Sequence, residues 1–361
     1  MAISTISATG LAGSVSQIGK NIIINGSHEV AQRGAAITGM GAASAYTPVD
    51  MWHIIASGTA GRVTGSQVAG PLAATGHAKA VKIDVTTVDS SVASGDIMSL
   101  RTTVEAQNLQ QLQWGVATAK SVTVSFWMKS PKAGTHCVSI YQEDDGRFFI
   151  REFTIASADT YEYFAITFPG DTGGVIDTNN GAGIRIDWPL ICGSGEAGSA
   201  DAWTSGGKFA TGNQQNLLDS TDNNVELAGV QLELGTVATD FEHEPISVTL
   251  AKCQRYYQQW NITTAFGYIA TGLNAGSTST RATLPTRQTM RAAPTLSVSA
   301  VGDFQTQDAT GAADTTNVTL YSAYPEVVTI EATVATQPIS NAAMFGADNS
   351  TVRFLALSAE M

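Results

Sequence analysis

The sequence predicts an all-β protein in which a β-sandwich is followed by a short helix and a smaller C-terminal β domain. Between about residues 81 and 234, several short runs alternate apolar and polar residues, a period typical of strands with one buried face. Turn-forming residues separate these runs. Near residue 250 the apolar spacing becomes helical, and it then returns to a period of two.

The alternating runs predict six strands of the sandwich. In the clearest run, Val122, Val124, Phe126 and Met128 share one face, which we expect to be buried. An Asp-Gly pair separates two of the runs and predicts a hairpin. The strands are expected at Ser121–Ser130, His136–Gln142, Arg147–Ile155, Tyr161–Phe168, Ile184–Trp188 and Val225–Gly235.

The N-terminal region is patterned more weakly. Residues 1–20 are rich in Ser, Gly, Ala and Thr, which predicts an attachment or flexible segment. The apolar run Ile22–Ile24 precedes the turn pair Asn25-Gly26 and predicts a short strand that ends in a turn. We therefore expect the sandwich to extend over residues 21–245.

A helical joint is expected next. Ile246, Leu250, Cys253 and Tyr257 are spaced as one face of a helix, which predicts a helix over residues 246–260. The second β domain then covers residues 261–361. Its core has to come from few large side chains: Phe266, Tyr268, Leu284, Phe304, Tyr321, Phe345 and Phe354. So sparse a core favours burial against a partner chain.

Composition excludes several classes of protein. The 361 residues include 19 Lys and Arg against 31 Asp and Glu, a net charge of -12, so no basic surface for nucleic acid is expected. No run approaches 18 consecutive apolar residues, which argues against a transmembrane helix, and the N-terminus does not resemble a secretory signal. The three cysteines are far apart and are expected to be free, buried thiols.

Catalytic motifs are missing from the sequence. It has no GxSxG, P-loop or HExxH pattern, and the five histidines lack ligand spacing. Glu143, Asp144 and Asp145 contain the carboxylates that a glycosidase needs, but their place beside Gly146 favours a solvated hairpin tip. We therefore expect a protein that is not an enzyme.

Three aromatic residues are candidates for binding a sugar, which requires an exposed ring with polar groups nearby. Trp203 lies in a Gly- and Ser-rich loop, where it is either a stacking platform or packed into the edge of the sandwich. Trp127 and Tyr141 lie opposite the apolar stripes of their strands, which we expect to be adjacent. They line a shallow groove in one interpretation and are covered by a second chain in the other.

A set of oxygen ligands suggests one cofactor, a structural calcium ion. Asp219, Asp222 and Glu226 are close in sequence, with Asn223 and Asn224 between them. Calcium prefers such carboxylate and amide oxygens. The spacing does not match a 12-residue calcium loop, so the alternative is a chain without any cofactor.

Two groups of motifs resemble the beginning and the end of a module of bacteriophage tail-fibre and related virion proteins. The first is Asn21–Gly34, followed by Tyr46 and Asp50-x-Trp52. The second is Gly229–Gly235 followed by Cys253–Tyr257, and the later motif Met290–Thr295 resembles one found downstream of this module. Met51 departs from the pattern, which has Arg there.

This resemblance implies a jelly-roll sandwich like that of carbohydrate-binding modules, in a homotrimeric fibre of a virion assembled from subunits made in the host cytoplasm. It implies a tail fibre or receptor-binding protein that recognises host surface polysaccharide and contacts other virion proteins. The motifs themselves are expected to be structural. A purely structural connector or capsid-decorating fibre is the alternative, and a polysaccharide depolymerase is the second.

Overall fold

The computed structural model describes residues 19–349 and 353–361, and the chain forms two compact units. The first, here called the sandwich unit, comprises residues 19–29, Ala36–Thr47 and Trp52–Ile246. The second, the barrel unit, comprises Val30–Ala35, Pro48–Met51 and Ser247–Met361. Two short N-terminal segments thus group with the C-terminal residues, although the sequence placed them in the first domain. Residues 1–18 of the expected attachment segment lie outside the described residues.

The sandwich unit contains two antiparallel sheets. In chain order its strands are β1 (Ala36–Met40), β2 (Ala45–Tyr46), β3 (Trp52–Ser57), β4 (Arg62–Ala69), β5 (Lys79–Thr87), β6 (Ile97–Glu105), β7 (Val122–Lys129), β8 (Gly134–Gln142), β9 (Arg147–Ile155), β10 (Glu162–Phe168), β11 (Ala182–Cys192), β12 (Thr204–Ser205) and β13 (Asn224–Leu234). The six-stranded sheet has the order β1-β4-β5-β13-β7-β10, and the seven-stranded sheet has the order β12-β9-β8-β11-β6-β3-β2.

The expected alternation fills the core of the sandwich. Val122, Val124, Phe126 and Met128 are all buried. The Phe126 ring packs edge-on against Trp188 of the other sheet, with 5.6 Å between ring centroids. The all-β sandwich predicted from the period of two is therefore confirmed.

Local predictions succeeded where turn chemistry was strong. The hairpin predicted at Asp145-Gly146 joins β8 to β9, and Gly146 adopts a φ of 62° that favours glycine. The turn at Asn25-Gly26 is also present, but the strand predicted at Ile22–Ile24 is not. The amide of Ile22 instead makes a single bond of 2.8 Å to the Leu232 carbonyl, because an apolar triplet is too short to pair along a ladder by itself.

A long connection covers part of the seven-stranded sheet. Within residues 193–216, Thr204–Ser205 pair at the sheet edge as β12, and Ala210 packs on the outer face, where it forms a small apolar cluster with Cys137, Phe148 and Ile150 apart from the main core. The amide of Cys137 donates to Gln214 Oε1 at 2.8 Å, which ties the connection to β8. This face is therefore occupied by the chain's own residues.

The barrel unit is built around a closed barrel with the strand order β15-β16-β20-β19-β18-β21. A separate sheet has the order β14-β22-β17. The strands are β14 (Tyr257–Asn261), β15 (Tyr268–Gly276), β16 (Ser279–Pro285), β17 (Thr295–Val298), β18 (Phe304–Asp308), β19 (Gly311–Tyr324), β20 (Val327–Val334), β21 (Ala342–Ala347) and β22 (Phe354–Ser358).

The barrel core differs from the one predicted. Leu284, Phe304 and Phe345 are buried as expected, and the two Phe rings stack at 5.4 Å. Phe266 and Tyr321 are more than half exposed, and Tyr268 and Phe354 are only half-buried. Small and β-branched residues such as Ala282, Val328, Ile330 and Ala332 complete the core. A narrow closed barrel needs only such side chains, so few aromatics did not mean an incomplete core.

Among the described residues, two helices are longer than a single 3-10 turn: α1 (Leu72–Thr75) and α2 (Ile246–Gln254). The predicted helix over 246–260 is wrong beyond Gln254, because Tyr257–Asn261 form β14 and pair with β22. The aromatic and amide residues of this segment suit a half-buried strand, and that tertiary pairing overrides the continued helical spacing. In the described part of the chain, no helix is long and apolar enough to span a membrane.

Candidate functional site: an aromatic cleft on the six-stranded sheet

A cleft of about 570 Å³ lies on the outer face of the six-stranded sheet. Strands β7 and β10 supply its aromatic wall. The end of α1, the loop after it, Gly229 of β13 and the segment 238–243 supply the rest. The lining residues are Ala74, Thr75, His77, Ser125, Trp127, Tyr163, Gly229, Ala238, Thr239, Asp240, Phe241 and His243.

The aromatic wall is a cross-strand pair. Trp127 of β7 lies directly opposite Tyr163 of β10 in the antiparallel register. Their ring centroids are 5.2 Å apart and the planes are inclined at 48°. Trp127 is half-buried, and Tyr163 is 45% exposed. Because the alternate residues of β7 face the core, both rings project from the outer face, where a ligand can reach them.

A bulge in β13 makes room for the floor of the cleft. The register between β13 and β7 shifts between Ala228 and Gln231, and Gly229 there adopts a φ of 56°. A Cβ atom at Gly229 would lie 2.2 Å from His77 Nε2, so only glycine lets this imidazole pack so close to the strand. His77 also packs edge-on against Phe241, with 4.8 Å between centroids.

Burial sets the charge of the floor. It lowers the pKa of His77 to about 4, and the nearby His243 contributes further. The His77 imidazole is therefore neutral at pH 7. Together with Phe241 it gives the cleft an uncharged, largely apolar floor.

The polar rim is held in place by the sheet. Glu233 Oε1 accepts from the Thr239 amide at 2.9 Å, and Glu233 Oε2 accepts from the Thr239 hydroxyl at 2.6 Å. Gln231 Oε1 accepts from the Glu242 amide at 2.8 Å. These bonds pin the segment 238–243 to β13. Asp240 is exposed at the rim.

Trp203 is not an exposed platform. Its indole N–H donates to the Pro169 carbonyl at 2.8 Å, and its ring packs edge-on against Trp114 and Phe149. Of the two alternatives that the sequence left open, the structure therefore favours packing into the edge of the sandwich.

Tyr141 does not share a groove with Trp127, which corrects the prediction that the two residues lie on adjacent strands. Trp127 belongs to the six-stranded sheet and Tyr141 to the seven-stranded sheet. The Arg185 guanidinium lies 5.6 Å from the Tyr141 ring centroid. Chain neighbours in a sandwich often alternate between sheets, and the sequence contains no direct signal for this.

The predicted calcium ligands have separate partners. Lys132 pairs with Asp219, whose Oδ1 also accepts from Asn223 Nδ2 at 2.7 Å. Lys129 Nζ lies 2.9 Å from Glu226 Oε1, and the Tyr161 hydroxyl donates to Glu226 Oε2 at 2.6 Å. Asp222 is exposed, and its amide donates to the Ser220 hydroxyl. Within residues 19–349 and 353–361, no three or more His, Cys, Asp or Glu side chains are grouped to hold a metal ion.

The acidic hairpin tip is a structural feature. Glu143 pairs with Arg185, Asp144 Oδ2 accepts from the Asp177 amide at 2.9 Å, and Asp145 Oδ2 accepts from the Val175 amide at 2.6 Å. Burial, followed by the charges of Asp177 and Asp145, raises the pKa of Asp144. These three carboxylates therefore hold the hairpin tip against Arg185 and the segment that contains Val175 and Asp177.

Residues of the tail-fibre-like motifs meet inside the barrel unit. Gln32 Nε2 donates to Asp50 Oδ2 at 2.5 Å and to the Tyr257 carbonyl at 2.8 Å. The Arg33 guanidinium lies 3.5 Å from the Tyr257 ring centroid and pairs with both Asp50 and Glu360. Burial raises the pKa of Glu360 to about 7. These contacts are structural, as the sequence analysis expected of the motifs.

The cysteines largely follow the prediction. Cys137 and Cys253 are buried and Cys192 is half-buried, and none of the three forms a disulfide. Burial raises the pKa of Cys137 and raises that of Cys192 to about 11, which keeps both thiols protonated and unreactive.

Tyr163, like His77, Asp240 and Phe241, is a site residue that sequence analysis missed. For Tyr163 the signal was present, because Phe164, Ile166 and Phe168 alternate along the strand predicted over Tyr161–Phe168 and Tyr163 therefore faces the opposite side. Its pairing with Trp127, however, depends on a strand register that the sequence alone does not specify.

No protein-family model matches the sequence, and no curated protein does. Among solved structures, the chain is similar to the enzymatically active domain of tailspike protein 4 of bacteriophage CBA120, at 13% identity and a TM-score of 0.31 over 60% of this chain. The match covers 21% of that protein, so the chain spans about a fifth of its length.

Carbohydrate-binding modules are also similar. A family 11 module from Clostridium thermocellum, in complex with a β-1,3-1,4-mixed-linked tetrasaccharide, matches at 14% identity and a TM-score of 0.29, over 52% of this chain and 91% of that one. The tandem CBM22 domain of Paenibacillus barcinonensis Xyn10C matches at 9% identity and a TM-score of 0.28, over 97% of this chain and 100% of that one. At these TM-scores the likenesses carry no argument about what this chain binds.

Proposed function

We propose that the chain is a non-enzymatic phage virion protein, a tail-fibre or receptor-binding component, that recognises host surface glycan in the cleft on the six-stranded sheet. The observation that carries the binding role is the pair of Trp127 and Tyr163, which are adjacent, outward-facing and bordered by polar groups. The virion role is supported by the tail-fibre-like motifs, which enclose the sandwich in sequence.

The chemistry of the cleft suits a pyranose ring. Aromatic faces stack on the C–H faces of sugars, while hydroxyl and carboxylate groups hydrogen-bond to sugar hydroxyls. Asp240, which is exposed at the rim, is placed to do this. An open cleft of this kind binds weakly, so several copies are needed for firm attachment.

A homotrimer would supply those copies. Three weak sites that engage one surface together gain avidity without any new contact. We expect sedimentation to give three times the mass of one chain, and a stable monomer at micromolar concentration would contradict the trimer. The monomer would still allow the cleft to bind glycan.

The binding role is tested on an array of bacterial capsule and lipopolysaccharide glycans. We expect Tyr163→Ala to weaken binding about tenfold or more, because a central aromatic contact is lost. Tyr163→Phe keeps the ring and should retain binding. The control is Tyr324→Ala, which removes an even more exposed tyrosine, 61% accessible, from the barrel unit.

Each alternative has its own outcome. If the folded protein binds no glycan on the array, the chain is a structural connector or decorating fibre. If binding survives Tyr163→Ala but is lost in Tyr141→Ala, the site lies on the other sheet. Release of reducing ends from a bound polysaccharide would identify a depolymerase.

A further inference from the structure

The residues that line the cleft include one carboxylate and no lysine or arginine. Asp240 carries the only formal charge at pH 7 among the lining residues other than the histidines, and it is exposed. His77 on the floor is neutral at that pH. The lining includes no Arg or Lys, the residues that normally recognise carboxylate and phosphate groups.

Two lysines beside the cleft are already engaged in other contacts. Lys129, two residues beyond Trp127 on β7, pairs with Glu226 at 2.9 Å. Lys20 Nζ donates to the Thr239 hydroxyl at 2.7 Å and to the Asp240 carbonyl, so it braces the rim. The same turn is held by the carboxylate of Glu233, which offsets the charge of Lys20.

We infer that the cleft selects glycans whose sugars carry no acidic group, an inference that rests on the proposed function. An aromatic wall recognises the apolar face of a sugar whatever its charge. A uronate or sialate stacked there brings its carboxylate close to Asp240, with no guanidinium or ammonium in the lining to compensate. Repulsion between the sugar carboxylate and Asp240 lowers the affinity for the acidic sugar about tenfold.

The test is an array on which every acidic glycan is printed beside the same glycan with its carboxyl groups reduced to alcohols. We expect the full chain to bind sugars without acidic groups and to gain about tenfold when an acidic glycan is reduced. We also expect binding to change less than about twofold between 50 and 500 mM salt, because no ion pair is screened.

Two variants locate the cause. Asp240→Asn should raise the ratio of acidic to reduced-glycan binding about tenfold, since it removes the repelling charge and keeps the shape. Lys20→Gln removes the ammonium that braces the rim and should weaken binding of an acidic glycan and of its reduced form by the same factor, which keeps their ratio. A loss confined to the acidic glycans would show that the lysine reads anions and would overturn the inference.

The outcomes separate this inference from the proposal beneath it. Stronger binding to the acidic members than to their reduced forms overturns the charge selectivity and leaves glycan binding in place. A folded chain that binds nothing on the array overturns both.

Discussion

The two sheets of the sandwich present different outer faces. The six-stranded sheet leaves Trp127 and Tyr163 facing outward, whereas the seven-stranded sheet is covered in part by residues 193–216. Both faces contain strands with outward aromatic residues, including Tyr141 on the covered side. The difference teaches that the connections between strands, more than the strands themselves, decide which face can bind a ligand.

The largest expected effect comes from the covered face. Arg101 Nε donates to both carboxylate oxygens of Asp187 at 2.9 and 3.1 Å, and both side chains are buried. Arg101→Ala leaves Asp187 buried without its cation and should cost about 3–5 kcal/mol in urea unfolding. Lys129→Ala, which breaks a partly exposed pair on the open face, should cost about 1 kcal/mol or less. Equal losses of unfolding free energy in the two variants would contradict this difference between the covered and the open face.

The bulge on the open face gives the next largest effect. Gly229→Ala forces a Cβ atom into the His77 ring at a left-handed φ, and should cost about 1–3 kcal/mol in thermal unfolding. Because His77 forms the floor, this variant should also lose glycan binding. Gly235→Ala is the matched control: its φ is 112°, but nothing lies within 4 Å of the added Cβ atom. Binding at wild-type strength in Gly229→Ala would place the site elsewhere.

Acid should weaken the sandwich. Burial lowers the pKa of His28 to about 3, and the neighbouring His77 lowers it further, whereas unfolded histidine titrates near 6.5. Below pH 6.5 the unfolded state therefore binds more protons, and stability falls as the pH falls. Between pH 7 and pH 5 the loss from His28 is about 2 kcal/mol.

Urea unfolding monitored at a series of pH values measures this slope. His28→Asn should flatten it, since asparagine tolerates the φ of 58° at this position and does not titrate. An unchanged slope in that variant would assign the pH dependence to other groups.

The smallest effect concerns the edge of the sandwich. Trp203→Phe removes the hydrogen bond to Pro169 and should cost about 1 kcal/mol. Glycan binding should be unaffected, because Trp203 packs against Trp114 and Phe149 and lies outside the cleft lining. Weaker glycan binding in Trp203→Phe would support the alternative that Trp203 stacks on the sugar.

The sequence was informative where a local rule acts alone. The alternation around Phe126 and the Asp145-Gly146 turn predicted strands and a hairpin that the structure contains. Trp127 was identified as an outward aromatic residue for the same reason. Its partner Tyr163 required the register of β10 on β7, and the exclusion of Tyr141 required knowing which sheet each strand joins. Both are long-range pairings that no local pattern encodes.

The closure of the barrel, by contrast, was not predicted, because the small residues of its strands give no local signal for it. Closure means that every barrel strand has a hydrogen-bonded neighbour on both sides. An open sheet offers unpaired amides and carbonyls that invite another chain to add a strand, and a closed one does not. Copies of this protein that meet through the barrel can therefore join only by side chains, so the solvent-facing residues of its strands would set the partner and the register of any such assembly.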